Sequence, residues 1–284
     1  MLYEKQHLGL TNRLLARYWV FFIGFFYLQC TWTCFAQGIS ISPSRIFFKG
    51  IPGETVQEMI TLTNSSSIPF NFTTGLKDWY RDSIGRKVYS DPGTANHSNS
   101  QWLKLSESTI NLNPNETKRI AVSLTVPQDS SANSLTNSML FFTQMKEQNK
   151  VSKERKQLGV NVLLEVGVQI YHIPSGLTSG ELDFLAFEDR GAISIAADSF
   201  RRVALKVKNT GKINKDAQVR FELTNMQTGK EIPIKTTAIA MLPEAVQWIY
   251  VDLPLSLKGK YLGVAILDAG NNYELRVAEK EIRY

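Results

Sequence analysis

From Val160 to Ile170 every even-numbered position is apolar: Val160, Val162, Leu164, Val166, Val168 and Ile170. The residues between them are mostly small or polar. A period of two sustained this far predicts one long β-strand with a continuous apolar face. Pro174 ends it, because proline cannot donate to a strand ladder. Such a face has two uses. It can fill the core of its own domain, as any half-buried strand does. At a sheet edge it can instead complete the sheet of another chain. Sequence alone leaves both open.

The N-terminus carries Lys5, Arg13 and Arg17 against Glu4, followed by the apolar run Tyr18-Trp-Val-Phe-Phe-Ile-Gly-Phe-Phe-Tyr-Leu28. A bilayer-spanning helix needs roughly twenty residues, and this run is shorter. Cys34-Phe35-Ala36 places small residues at cleavage offsets. A secretory signal over 1–36 is therefore expected, cleaved after Ala36, so that the mature chain begins at Gln37 and does not stay inserted in the membrane. An uncleaved anchor is the alternative. Both cysteines, Cys30 and Cys34, fall in the leader, and neither has the leucine and small residues of a lipid-attachment signal before it. The exported part then holds together by its core, without disulfides. The formal net charge of +6 for the whole chain is mild and interspersed, which argues against nucleic-acid binding. The one basic cluster, Lys146, Lys150, Lys153, Arg155 and Lys156, reads as a solvated hairpin loop, or else as a contact for an acidic partner.

The remainder alternates between short strand patterns and turns. Strands are expected over 39–48 (interrupted by Pro43), 56–64, 70–79, 102–105, 109–112, 118–126 and 138–145. After the polar, glycine-containing Ser175-Gly-Leu-Thr-Ser-Gly180 the pattern restarts, with strands over 181–187, 202–209, 217–224, 245–252, 260–268 and 274–283. Asn64-Ser-Ser-Ser-Ile-Pro69, Asn209-Thr-Gly211 and Asn225-Met-Gln-Thr-Gly229 supply turns. No helical period intervenes. The expected fold is all-β, two immunoglobulin-like β-sandwich domains in tandem over 37–174 and 175–284, of about 135 and 110 residues.

Several pieces of the first domain resemble the periplasmic chaperones of chaperone–usher pilus assembly. They are Ser42-Pro-Ser-Arg-Ile-Phe-Phe-Lys-Gly50, Thr63-Asn-Ser-Ser-Ser-Ile-Pro69, Leu112-Asn-Pro-Asn-Glu-Thr-Lys-Arg-Ile120, Phe141-Phe142 and Gln169-Ile-Tyr-His-Ile-Pro174. The second domain matches only in its fold. The resemblance implies a periplasmic protein that caps pilus or fimbrial subunits, with an outer-membrane usher as a further partner. A subunit of that family lacks its last strand, and the chaperone lends its own. By position, Val160, Val162, Leu164 and Val166 match the family's donor residues. The resemblance also implies a client-carboxylate anchor between the domains, formed by an arginine and a lysine. Arg45 stands at the arginine position, whereas Gln169 occupies that of the lysine. Gln169 carries no charge, so the anchor departs from the family pattern. An ordinary surface arginine is the alternative for Arg45.

Catalysis finds no support in the residues. His97 and His172 are the only histidines beyond the leader, and there is no Gly-x-Ser-x-Gly, His-Glu-x-x-His, paired-cysteine or phosphate-cradling motif. Both histidines read as surface or packing residues, and Glu188-Asp189 as a solvated acidic pair. No metal, cofactor or enzymatic activity is expected. An exported immunoglobulin-like adhesin or scaffold of the cell envelope is the alternative function.

Overall fold

The computed structural model describes residues 38–145, 163–196 and 198–284. The expected leader, the basic cluster, Val160 and Val162 lie outside these residues. Among the described residues, no helix is long and apolar enough to cross a membrane.

Ten strands build the first domain: β1 (Ile39–Ser42), β2 (Arg45–Phe48), β3 (Thr55–Asn64), β4 (Phe70–Arg81), β5 (Lys87–Ser90), β6 (Leu103–Leu105), β7 (Thr109–Leu112), β8 (Thr117–Thr125), β9 (Thr136–Gln144) and β10 (Glu165–His172). One sheet runs β1-β3-β8-β6, and the facing sheet β2-β10-β9-β4-β5, with β7 also on β4. The segment expected as one strand broken at Pro43 belongs to both layers. β1 pairs with β3 in one sheet, and β2 pairs with β10 in the other. Pro43 lies where the chain leaves one edge for the other, the place a residue without an N–H does least harm.

The second domain comprises β11 (Leu182–Ile195), β12 (Asp198–Asn209), β13 (Lys215–Asn225), β14 (Glu231–Ile232), β15 (Thr237–Met241), β16 (Val246–Leu253), β17 (Lys260–Asp268) and β18 (Arg276–Arg283). Its sheets are β11-β12-β16 and β14-β13-β17-β18, with β15 also on β13. Each domain has its own core. Phe48, Phe72, Phe142, Val168 and Ile170 are buried together in the first, and Val203, Leu205, Phe221, Leu223 and Leu267 in the second. Alternation is clean in β13, β16 and β17, where every second residue is buried, as expected of sandwiches with one wet face per sheet.

A third apolar cluster joins the domains. Trp79, Leu135, Met139, Phe141 and Tyr171 pack with the half-buried Ile173, Leu177, Ile213 and Leu242. The connection is close at the backbone: a Cβ on Gly211 would come 2.0 Å from the Ser179 carbonyl oxygen, and one on Gly180 2.2 Å from Gly211 Cα. Only glycine fits at this crossing.

The same device closes the corresponding turn of each domain. Asn64 is fully buried; its Nδ2 donates to the Ile68 and Asn113 carbonyls, and its Oδ1 accepts from the Ser66 amide and hydroxyl. Asn209, equally buried, donates to the Ile213 and Leu242 carbonyls and accepts from Gly211. Removing either amide takes the donor from two part-buried carbonyls, a loss of about 1–1.5 kcal/mol each. Asn64→Ala and Asn209→Ala should each lower unfolding free energy in urea by about 2–3 kcal/mol. Asn→Asp should rescue neither, since a carboxylate cannot donate. Wild-type midpoints in the alanine variants would show that these clamps do not hold the turns.

Candidate functional site

β10 is flanked unequally. It runs antiparallel to β9 over its whole length, Glu165 opposite Thr143 through His172 opposite Thr136. On its other side β2 lies parallel to it only from Gln169, opposite Arg45, to His172, opposite Phe48. Backbone hydrogen bonds alternate in direction along a strand. Gln169 and Ile173 donate to the Ser44 and Phe48 carbonyls, on the β2 side, while the Leu164 carbonyl accepts from Gln144, on the β9 side. Odd positions therefore address the β2 flank. Beyond Arg45, the backbone groups of Glu165 and Gly167 point to a flank on which no described strand pairs. Among the described residues this is an open edge, and the charged Glu165 on it suits an edge that must not aggregate.

The two faces of β10 differ as well. Val168 and Ile170 are fully buried in the home core, and Leu164 is half-buried against it. Val166 is half-buried and outside that cluster. The C-terminal half of the apolar series thus serves its own domain. Gly167, Gln169 and Tyr171 lie on the opposite face. Tyr171 stacks on Phe47 (centroids 5.2 Å apart), meets Trp79 edge-on at 6.1 Å, and donates its hydroxyl to Gln169 Oε1 at 2.8 Å. Burial pushes the Tyr171 phenol up to about 12.

Where the open edge meets β2, the chain turns cationic. Arg45 forms an ion pair with Asp216 of β13, across the domain boundary. Arg81, the last residue of β4, lines the same cleft, whose volume is about 480 Å³. Its Nη1 donates to the Gly85 carbonyl at 2.7 Å, and its guanidinium lies 5.6 Å from the Trp79 ring centre. Lys87 stands opposite Arg81 in the β4–β5 register and also lies over Trp79. Burial lowers Arg81 from its ordinary value; Tyr171 and Asp216 oppose that fall and Arg45 adds to it. Lys87 is lowered by burial and by the two arginines. The cations crowd one another, so the cleft favours an incoming anion.

Of the residues singled out from sequence, Arg45 and Gln169 are brought side by side by the β2–β10 register. Gln169 is nearly buried and holds Tyr171 rather than an ion. Arg81, Asp216 and Lys87 were not among them. Lys77, Trp79 and Arg81 share one face of β4 by their spacing of two, which is the only trace of Arg81 in the sequence. His172 is a core residue, its Nε2 beside the Gly50 carbonyl at 3.2 Å and its ring edge-on to Trp102. His97 lines another interdomain cavity of about 460 Å³ with Leu177, Leu242 and Glu244. Within β11 Glu188 is half-buried and paired with Arg190, and Asp189 is exposed.

No family model matches this chain, and no curated protein does. Solved structures similar to it include chaperones of pilus assembly. The chaperone–tip subunit pre-assembly complex CsuC–CsuE, from archaic chaperone–usher pili of Acinetobacter baumannii, is 12% identical with a TM-score of 0.48, over 85% of this chain and 97% of that one. The E. coli chaperone DraB is 13% identical with a TM-score of 0.46, over 85% and 96%. The Salmonella enterica SafA pilin–SafB chaperone complex gives 12% and 0.42, over 85% and 96%. These are likenesses of fold.

The side chains of Arg45 and Asp216 are 29% and 53% exposed, so their bridge is screened and should contribute little to stability. A double-mutant cycle on Arg45→Ala and Asp216→Ala, read by urea unfolding, should give a coupling below about 1 kcal/mol. A coupling of several kcal/mol would make the bridge a structural latch instead of a surface open to exchange.

Proposed function

We propose that this protein is a periplasmic, non-catalytic chaperone that caps pilus or fimbrial subunits by pairing β10 with an incomplete client sheet. The observation that carries this is the half-covered flank of β10, on which no described strand pairs over Glu165–Val168 and which ends at a cationic cleft beside Gln169. A client with a missing strand exposes an apolar groove and unpaired backbone groups, both of which drive aggregation. An added strand satisfies the backbone, and alternate side chains fill the groove. Each Val or Leu buried contributes about 1.5–3 kcal/mol.

The arrangement also sets a direction. β10 runs from Glu165 toward His172, and Arg45 faces it at Gln169. A client strand on the free flank must stop there. If its last group is a carboxylate seated in the cleft, the client strand runs parallel to β10. A guanidinium suits such a group because its fork can hold both carboxylate oxygens. Val162 and Val160, one and two periods before Leu164, extend the same series as donor residues, and of the pieces resembling pilus-assembly chaperones three fall on β2, β9 and β10 beside this edge.

Co-expression with the exported protein encoded beside this chain should give a complex that co-purifies. Val162→Asp and Val166→Asp place an unpaired charge in the client groove and should reduce recovery at least about tenfold, with cooperative melting retained. Glu165→Pro removes an edge N–H without touching the β9 ladder and should do the same. Arg45→Ala should lose the client at near-wild-type melting temperature. Undiminished recovery in all four variants would overturn the proposal and favour an adhesin or scaffold.

A further inference from the structure

The outer face of the β11-β12-β16 sheet is built of stacked cations and aromatic rings. β12 and β16 pair with Lys208 opposite Val246, Lys206 opposite Trp248, Ala204 opposite Tyr250 and Arg202 opposite Asp252. Val203, Leu205, Val207, Ile249 and Val251 belong to the core, so these even-numbered residues share the outer face. Arg190 of β11 and Lys206 lie over the Trp248 ring at 4.9 and 5.2 Å. Arg202 lies over Tyr250 at 4.7 Å and over Phe200 at 4.8 Å. Asp252 holds Arg202 through both oxygens, and Glu188 holds Arg190. Lys206 and Lys208 have no carboxylate within ion-pair distance among the described residues. The face also outruns its sheet. β16 covers β12 only as far as Arg201, whereas the β11–β12 hairpin continues to Ile195 and Asp198. There Ile193 stands opposite Phe200 and Ile195 opposite Asp198, on the same side as Arg202 by alternation. Ile195 is exposed, as are Leu255 and Lys258 in the loop that leaves β16 at this end. It is the end remote from the domain boundary. Asn209, at the other end of β12, is clamped to Ile213 and Leu242, roughly 35 Å away along the strand.

We propose that this face and the end of its hairpin form a docking surface for an anionic phospholipid bilayer. Trp and Tyr rings settle at headgroup depth, and Lys and Arg lay their apolar stems along such rings while their charges reach the phosphate layer. A cation stacked on a ring keeps its charge displayed at the ring's surface, so one strip of sheet offers both. Ile195 and Leu255 project where the rings end, and side chains of that size gain by entering the acyl boundary. A sheet face laid on a membrane in this way is held by apolar area and by its uncompensated lysines, and it comes off when salt screens them. The opposite sheet is made differently: Arg220 pairs with Glu222, and Lys260 with Glu281, charges that cancel locally. β10 lies in the other domain, so lipid and client would not compete for one surface.

The test uses the chain from Gln37 onward, which contains every described strand and omits the apolar run 18–28, itself able to enter a bilayer. It is sedimented with vesicles of phosphatidylcholine, alone or mixed with phosphatidylglycerol. Wild type should partition onto the mixed vesicles at least about tenfold more strongly, and raised salt should shrink the difference. Arg190→Glu and Lys206→Glu should each lower binding at least about fivefold and flatten its salt dependence. Ile195→Ser and Leu255→Ser should lower it about threefold or more at every salt concentration, with the melting temperature unchanged because both side chains are exposed. Arg220→Glu, a charge reversal on the opposite sheet, should bind as wild type does. A wild-type chain that stays in solution with both vesicles overturns the inference and leaves this face to a protein partner or to water. An equal loss in Arg220→Glu overturns it too, since net charge alone would then account for binding. Glu165→Pro should sediment like wild type, so that failure of lipid docking and failure of the donor-strand reading are told apart.

Discussion

Everything at the candidate site depends on how far β2 reaches along β10. A buried strand needs partners on both flanks, because unpaired N–H and C=O groups are costly away from water. β9 satisfies one flank of β10 throughout, but β2 is four residues long and satisfies the other only from Gln169 onward. The shortness of β2 is a consequence of Ser42-Pro-Ser44, where the chain changes sheets. The same crossover therefore closes the sandwich, leaves Glu165–Val168 without a described partner on that flank, and puts Arg45 at the point where that edge stops.

The second domain completes the site, and the apolar contact between domains is what makes the cleft geometrically defined. Trp79 and Tyr171, buried under Ile213 and Leu242, form the floor on which Arg81 and Lys87 lie. The near-contact of Gly180 and Gly211 fixes the approach of the linker. Against that rigid background the polar groups are comparatively loose: Arg45 and Asp216 are both partly exposed, and an exposed ion pair exchanges partners at small cost. Apolar packing holds the wall while charge is left available.

Much of the fold is legible in the chain. The alternation over β13, β16 and β17 matches the sequence expectation closely, since each strand has one wet and one buried face. The weaker elements are hidden for a physical reason. β5, β14 and β15 are short pieces paired on the outside of a sheet, with too few buried positions to show a period. β11 continues to Ile195, past the expected end at 187, and β12 begins at Asp198; that outer end of the hairpin is mostly exposed, so its residues carry little hydrophobic signal. Thr136 and Asn137 in β9 are buried although polar: Asn137 shares the face of Leu135 and Met139 beneath the interdomain contact, Thr136 that of Leu140 toward the home core, and hydropathy could not place them there.

Sequence by itself determined the all-β character, the two repeats of sandwich pattern, the period of two in β10, and the presence of Arg45 beside an apolar strand. Those are local properties, written in the spacing of neighbouring residues. Only the tertiary structure decided which side of β10 is covered, that Val168 and Ile170 belong to the home core, and that Gln169 holds Tyr171. It alone brings Arg81, Lys87 and Asp216, from three other strands, to the end of the open edge. Strand register and domain packing join residues more than a hundred positions apart, and no periodicity along a single chain encodes which of its charges will face one another across a cleft.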